Sequence, residues 1–574
     1  MEQPVHFRRR PGRPKGRSVE PAARKRLREL LGGEPPRRDL LIEYLHRLQD
    51  ADGCLKPPLL VALAEALRVA PAEIYEVATF YDHFEVLADG DAPPPALTVR
   101  VCDSLSCAMA GAEALIEALH DASRDGVRIQ RVPCVGRCDR APVVVVGQRP
   151  VAPAALTPVV AAIDAACAGP DAEALRCPIP MAPGAAQARA DGAFRVLHAL
   201  HAGDRDREAV FTSLEAAGLR GMGGAGFPTG RKWRIVAAQP GPRLMVVNAD
   251  EGEPGTFKDR HFLETEPHAF LEGMLIAAWA VQASDCYIYL RDEYAGVRAL
   301  LERELAALRA DPPIAGAAMP ALHLRRGAGA YICGEESALI ESIEGRRGTP
   351  RLRPPYVAEV GLFGRPTLVN NVETLVWAQR ILAGGAERFA AHGRRGRQGL
   401  RAFSVSGRVR EPGVKMAPAG ISLRELIDEH CGGMAPGHRL YAYLPGGASG
   451  GILPAAMADL PLDFDTLQPH GCFIGSAAVI VLSQADRARD AAASMMRFFR
   501  HESCGQCTPC RVGTAKAQAL LAAPRWDAPL LGELAALMAD ASICGLGQAA
   551  PNPVLGVLRH FAHEVGSATT GRPA

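Results

Sequence analysis

Near the end of the chain, Cys504, Cys507 and Cys510 follow one another at two-residue gaps, and Cys544 comes after another 33 residues. No other stretch limits so sharply what the chain can become. Three thiolates on one tight loop hold three corners of a cubane and a remote fourth completes it, which is [4Fe–4S] spacing. A structural zinc also takes four cysteines, but it favours paired C-x2-C units. A second group, Cys102-x4-Cys107 and Cys134-x3-Cys138, falls on turns of an alternating strand and helix pattern. Two pairs on neighbouring turns suit a [2Fe–2S] rhomb, and the less diagnostic C-x4-C pair keeps zinc open as the alternative.

Whether such cysteines act as ligands depends on the compartment. The chain has 574 residues, enough for several domains with ample core. Its longest apolar candidate, Met274 to Val281, is far below the roughly 18 residues that a membrane span needs. Arg8 to Arg10 are not followed by an apolar h-region, so no export signal is read. A cytoplasmic protein with no membrane contact is expected, and there fifteen cysteines are not expected to form disulfides. Charge is uneven: residues 1–38 hold 12 Lys/Arg against 4 Asp/Glu, while the remainder carries a net −6. A mildly acidic body argues against a nucleic-acid surface. The piece PGRPKGR resembles an AT-hook, so the non-enzyme alternative is a zinc-bearing, DNA-tethered interaction protein; a solvated tail or an arm on a partner is the plainer reading.

The chemistry is organised from Gly218 to Arg260, which reads GLRGMGGAGFPTGRKW, a spacer, then LMVVNADEGEPGTFKDR. Gly221, Gly223, Gly224 and Gly226 let backbone N–H groups approach a phosphate without Cβ interference, and Lys232 adds a point charge. An apolar strand, Leu244 to Val247, then delivers Asn248, Asp250, Glu251 and Glu253. A phosphate cradle facing amides and carboxyls suits a nucleotide cofactor. Gly221-x-Gly223-x-x-Gly226 also fits the dinucleotide fingerprint, which requires a strand before it and a helix opening at it. Ala209 to Leu219 are helix-like and Pro228 interrupts the residues after the glycines, so a strict Rossmann site is not expected. A Gly-rich surface loop is the bland alternative. Clusters pass single electrons, whereas a nicotinamide takes a hydride; a flavin converts between the two modes.

Periodicity and composition divide the chain into seven parts. Residues 1–38 read as a basic disordered tail, 39–92 as a helical domain and 93–168 as a thioredoxin-like α/β layer. Residues 169–190 read as a Pro/Ala/Gly-rich linker, and 191–392 as a central α/β domain. A strand-rich module (393–482) and a helical segment (483–574) complete the chain.

GLRGMGGAGFPTGRKW, NADEGEPGTFKDR, YICGEESALIESIEG, NNVETL and ESCGQCTPCRVGT together resemble the flavin subunit of respiratory complex I and its relatives. Those relatives are the diaphorase subunits of NAD-linked hydrogenases and formate dehydrogenases. Residues 39–168 resemble the separate [2Fe–2S] subunit of the same systems, so the chain looks like a fusion of the two. PPYVAEVGLFGRPTLVNNVETLVW and PGVKMAPAGISLRELI look most like NAD-dependent formate dehydrogenase β subunits, with a hydrogenase diaphorase as runner-up.

The resemblance implies a multidomain α/β chain with a β-grasp, ubiquitin-like domain after the flavin domain and a helical [4Fe–4S] domain at the end. It implies FMN, its phosphate held by Gly221–Gly226 and Lys232 with Asn370, Asn371 and Thr374. Asn248 and Asp250 would contact the ring system and its chain, with Glu251 beside them; Gly334, Glu335 and Tyr331 would line the same pocket. NAD would stack on the flavin, with Glu253 and Glu336 as orienters and Phe227 and Tyr356 clasping adenine near Arg353. No catalytic acid or base is implied, because the flavin holds the hydride itself. Departures are Met222 where complex I usually has Arg, Arg353 where it has Lys, and Ile235 where an aromatic is common. The implied partner is a formate-oxidising α subunit with a molybdenum or tungsten pterin.

Overall fold

The computed structural model describes residues 17–33, 35–122, 124–168 and 175–566. The chain divides into two units: residues up to Pro94 together with Glu344–Arg347, and the rest. The first unit is helical, with helices Pro21–Leu31, Leu41–Asp52, Pro57–Leu67 and Pro71–Phe80. Three of the four start on a proline, where the missing N–H costs nothing. The first helix corrects the expectation of a disordered tail through residue 38. Ala23, Leu27 and Leu31 recur at four-residue spacing and are buried, and Arg24 donates two hydrogen bonds to Glu65 at 2.8 and 2.9 Å. The Arg- and Pro-rich residues 1–16, including the AT-hook-like piece, lie outside the described residues. The linker expectation is corrected in the same way: Ala185–Ala190 is helical, and 169–174 lie outside the described residues.

The second unit holds three sheets. Strands β1 (Leu97–Cys102), β2 (Val127–Val132), β3 (Val144–Val146) and β4 (Arg149–Val151) form a sheet of order β2-β1-β3-β4, with β1 and β2 parallel. Helices Ala112–Asp121 and Leu156–Cys167 pack on its core of Val99, Val101, Ile116, Val144 and Val159. This is the thioredoxin-like layer.

The central sheet comprises β5 (Arg243–Ala249), β6 (Ala283–Leu290), β7 (Ala321–Arg326) and β8 (Thr367–Asn371). Its order is β7-β6-β5-β8 and every neighbouring pair is parallel. Leu244–Val247 are buried, as a strand covered on both faces requires. Helix Pro267–Val281, apolar on nearly every side, supplies part of that cover and is itself buried almost throughout. Strand order reverses between β5 and β8, which opens a crevice at their carboxyl ends. The glycine loop precedes β5 instead of coming after it, so the sheet is doubly wound without being a strict Rossmann fold.

Strands β9 (Leu400–Gly407), β10 (Gly413–Pro418), β11 (Leu440–Leu444), β12 (Leu453–Pro454) and β13 (Ala478–Ser483) form the third sheet, of order β10-β9-β13-β11-β12. Its first and last strands lie parallel at the centre, the β-grasp arrangement. Helices Ala488–His501, Thr508–Leu521, Ala528–Ala541 and Asn552–His560 end the described chain. No helix of the described residues is long and apolar enough to cross a membrane.

Candidate functional site

The glycine loop is a tight excursion between helix Arg207–Ala216 and helix Thr229–Ala237. Gly221 N–H donates to the Phe227 carbonyl at 2.8 Å and Thr229 N–H to Leu219 at 2.9 Å, closing its neck. Gly224 and Gly226 sit at φ +118° and +66°, where a side chain is strained. The β-grasp domain grips the loop from outside. The ring of Phe464 lies 2.6 Å from where a Cβ on Gly226 would be, and the Arg220 and Arg401 guanidiniums stand 4.6 and 4.1 Å from that ring. Arg220 also donates to the Gly226 carbonyl and pairs with Asp465 at 2.6 Å. Met222, the departure from the complex I pattern, is buried with its Sδ 3.3 Å from Arg401 Nη1.

The carboxyl ends of β5 and β8 face this loop. Met222 N–H donates to Thr374 Oγ1 at 2.9 Å, and Trp233 Nε1 donates to Asn370 Oδ1 at 2.9 Å. Asn371 Nδ2 donates to Asp259 at 2.5 Å, within a buried group in which Lys258 pairs with Asp259 and Glu373 at 2.9 and 3.0 Å. Asn248 Nδ2 donates to the Gly334 carbonyl at 2.8 Å, tying β5 to the turn Tyr331–Gly334. Asp250 Oδ2 is enclosed yet has no hydrogen-bond partner, and burial pushes its carboxyl well above the usual range. Such an atom marks a place where a polar ligand group is wanted. Lys232 pairs with Glu336 at 3.4 Å; Arg353 pairs with Glu336 at 3.2 Å and also with Glu335. Phe227 and Tyr356 are exposed at 42% and 56%, open to a further ring.

Two carboxylates of this stretch are held by hydrogen bonds within the protein. Glu251 accepts N–H bonds from Asp259 and Arg260 at 2.8 and 3.1 Å and the Tyr294 hydroxyl at 3.0 Å, so it caps helix Lys258–Thr265. Burial and the Asp259 charge raise it to about 7. Glu253 accepts from Ser449 N–H at 2.8 Å and from the Ser449 and Ser476 hydroxyls at 2.5 and 3.2 Å. These donors tether the Glu253 carboxylate to the β-grasp domain, and its charge acts on Tyr331 of the same pocket. Asp259 and Arg260 share the motif with Glu251, whereas the Glu253 partners Ser449 and Ser476 are too distant in sequence to be read from it.

All fifteen cysteines are free thiols. Cys102 at the end of β1, Cys107 in the short helix Leu105–Met109, and Cys134 and Cys138 on the segment after β2 are buried together; Cys134 and Cys138 have their sulfurs 3.2 Å apart. Hydrogen bonds among the four split their acidities, lowering Cys134 and raising Cys102 and Cys138. Cys507 caps helix Thr508–Leu521, Cys510 lies in its first turn, and Cys544 caps Gly545–Ala549. The Cys544 sulfur accepts N–H groups of Leu546 and Gly547, while burial raises it to about 12. Four converging thiols in each set, with backbone N–H donors at the sulfurs, fit iron–sulfur ligation. Tyr331 connects the two chemistries. Its N–H donates to Glu502 at 2.9 Å, two residues before Cys504, and its ring lies 3.2 Å from where a Gly252 Cβ would be.

Known proteins divide along the same lines. Residues 214–379 match the Nuo51 FMN-binding domain and 27–165 the thioredoxin-like [2Fe–2S] ferredoxin. Residues 403–453 match the SLBB domain and 490–568 the NADH-ubiquinone oxidoreductase-F iron–sulfur binding region. The mitochondrial 51 kDa subunit of NADH-ubiquinone oxidoreductase from Neurospora crassa is 42% identical over 374 residues, 62% of this chain and 76% of that protein. The chain belongs to the 51 kDa family. A second member, the mitochondrial NADH dehydrogenase [ubiquinone] flavoprotein 1 of Dictyostelium discoideum, is 42% identical over 63% of this chain and 79% of its own. A solved chain of an NAD+-reducing [NiFe]-hydrogenase in the H2-reduced state superposes with a TM-score of 0.81 at 33% identity. That match covers 93% of this 51 kDa-family chain and 94% of the hydrogenase chain, so the fused [2Fe–2S] layer has a counterpart there. The family match thus supplies an FMN-binding domain, a [2Fe–2S] domain and a [4Fe–4S] region in one chain.

Proposed function

We propose that the chain is the NAD-linked diaphorase part of a larger cytoplasmic redox assembly, exchanging electrons between NAD+/NADH and iron–sulfur centres. One observation carries the reading: Tyr331 joins the crevice at β5 and β8 to the Cys504 loop inside a single unit. FMN, when bound, supplies the conversion between a hydride and single electrons. The chain's own residues bind and orient. The Gly221–Gly226 amides and Lys232 hold phosphate, Asn370, Asn371 and Thr374 brace the loop, and Asn248 and Asp250 address the ring side. Glu336, partly buried between Lys232 and Arg353, orients the dinucleotide, with Phe227 and Tyr356 against adenine. Nothing requires a side chain to act as acid or base.

For the electron donor we infer a formate-oxidising α subunit holding a molybdenum or tungsten pterin, on the resemblance of residues 354–377 and 412–427 to formate dehydrogenase β subunits. A hydrogen-oxidising partner is the second reading, favoured by the nearly full-length overlap with the hydrogenase chain. The test is anaerobic purification with associated subunits. One FMN and about six irons per chain, with NADH reducing ferricyanide, are expected. Reduction of NAD+ by formate and not by hydrogen supports the first donor, and the converse supports the second. Zinc in the cysteine sites with no flavin overturns the whole reading.

A further inference from the structure

Two guanidiniums of the flavin domain are buried against the loop that carries Cys134 and Cys138. Arg291, 4% exposed at the end of β6, donates through Nη1 to the Glu251 carbonyl at 2.5 Å and through Nη2 to the Cys134 carbonyl at 2.7 Å. Arg260, 7% exposed, donates through Nε to the Gly136 carbonyl at 2.9 Å and through Nη2 to Asp139 at 3.1 Å. The loop is also sterically fixed. Gly136 adopts φ +71°, and a Cβ there would fall 2.3 Å from the Tyr294 hydroxyl, which itself donates to Glu251. One side chain therefore bridges a strand-end of the flavin site and the backbone of a cluster ligand. On the outer side of Arg291, Glu293 accepts from Nε and Nη2 at 3.1 and 2.8 Å.

We propose that Arg291, opposed by Glu293 and seconded by Arg260, is a positioning residue that sets the reduction potential of the centre held by Cys102, Cys107, Cys134 and Cys138. Uptake of one electron, supplied by a dissolved mediator dye, adds one negative charge to that site. A guanidinium cannot lose its proton and, enclosed as it is here, is little screened by water, so it stabilises the reduced form and raises the potential. The Glu293 carboxylate beside it acts in the opposite sense. Hydrogen bonding, charge and exposure around the ligands are the means by which a protein tunes such centres. The inference rests on those four cysteines holding a [2Fe–2S] centre, which the EPR signal of the unaltered protein reports separately from any shift.

The experiment is EPR-monitored potentiometry of the full chain with its clusters, comparing R291Q, R291K, E293Q and R260Q. R291Q is expected to move the [2Fe–2S] midpoint to more negative values and E293Q to more positive ones. R291K, which keeps the charge but not all four hydrogen bonds, should stay close to the parent, and R260Q should shift negatively by less than R291Q. The [4Fe–4S] midpoint in the same samples should not move. Unmoved midpoints in R291Q and E293Q overturn the proposal. Shifts of one sign in both overturn it too, since loosened packing rather than charge would be responsible, as does R291K shifting as far as R291Q. Should R291Q lose the [2Fe–2S] signal, E293Q decides alone: a positive shift upholds the assignment and an unchanged value ends it.

Discussion

The two cysteine sites use the same ligand type and number, yet the fold treats them oppositely. Cys102, Cys107, Cys134 and Cys138 are all at most 4% exposed, walled in by Phe257, Arg260 and Arg291. In the other set only Cys510 is buried; Cys504, Cys507 and Cys544 are half-buried on a loop and two helix starts, with Val512 and Leu537 exposed on the adjoining helices. The first set is governed by what the protein places around it, whereas the second is open to whatever docks at the surface. Burial, and not ligand count, separates a tuned interior site from an accessible one.

The largest effects test whether the two sites are independent. C510A should remove about four of about six irons and leave the [2Fe–2S] EPR signal, while C134A should remove about two and leave the other. Loss of both signals from either variant breaks the comparison. Next comes the wall itself. Burial raises Glu251 to about 7 from an ordinary 4.5, so over that interval the folded chain keeps a proton that the unfolded chain has released. The stability contribution is fully present below about pH 4.5 and is lost as pH climbs through about 7. E251Q should flatten that decline in thermal unfolding between pH 5 and 8, by at most about 3 kcal/mol; an unchanged slope removes Glu251 as its source. F464A should weaken FMN about tenfold, or about 1.4 kcal/mol, by freeing the glycine loop, with iron content unaltered. Flavin fluorescence on dilution measures it, and unaltered retention would deny the loop its outer grip. The smallest effect sharpens the contrast in exposure: an iron chelator should bleach the [4Fe–4S] absorbance several-fold faster than the [2Fe–2S] EPR signal declines, and equal rates would deny it.

Local patterns are legible in the sequence and distant partnerships are not. Cysteine spacing, the glycine loop and the apolar β5 lie within short runs, so their chemistry can be read directly. The helix Pro21–Leu31 is hidden because its four Arg or Lys residues mask the stripe Ala23, Leu27, Leu31. The hold of Ser449 and Ser476 on Glu253 cannot be read from the sequence, because both lie about two hundred residues away. Phe464 carries no motif at all, and Arg291 merely succeeds a strand; only the assembled domains give either one a task.

The six residues Asn248 to Glu253 answer to three neighbours at once. Asn248 holds the Gly334 turn, the Glu251 carbonyl shares Arg291 with Cys134, and Glu253 takes its donors from Ser449 and Ser476. A truncation after residue 392 would leave the Glu253 carboxylate facing no hydroxyl, and removal of the thioredoxin-like layer would leave Arg291 short of an acceptor. Recombining such a chain from interchangeable parts therefore requires rewriting this hexapeptide along with the part exchanged.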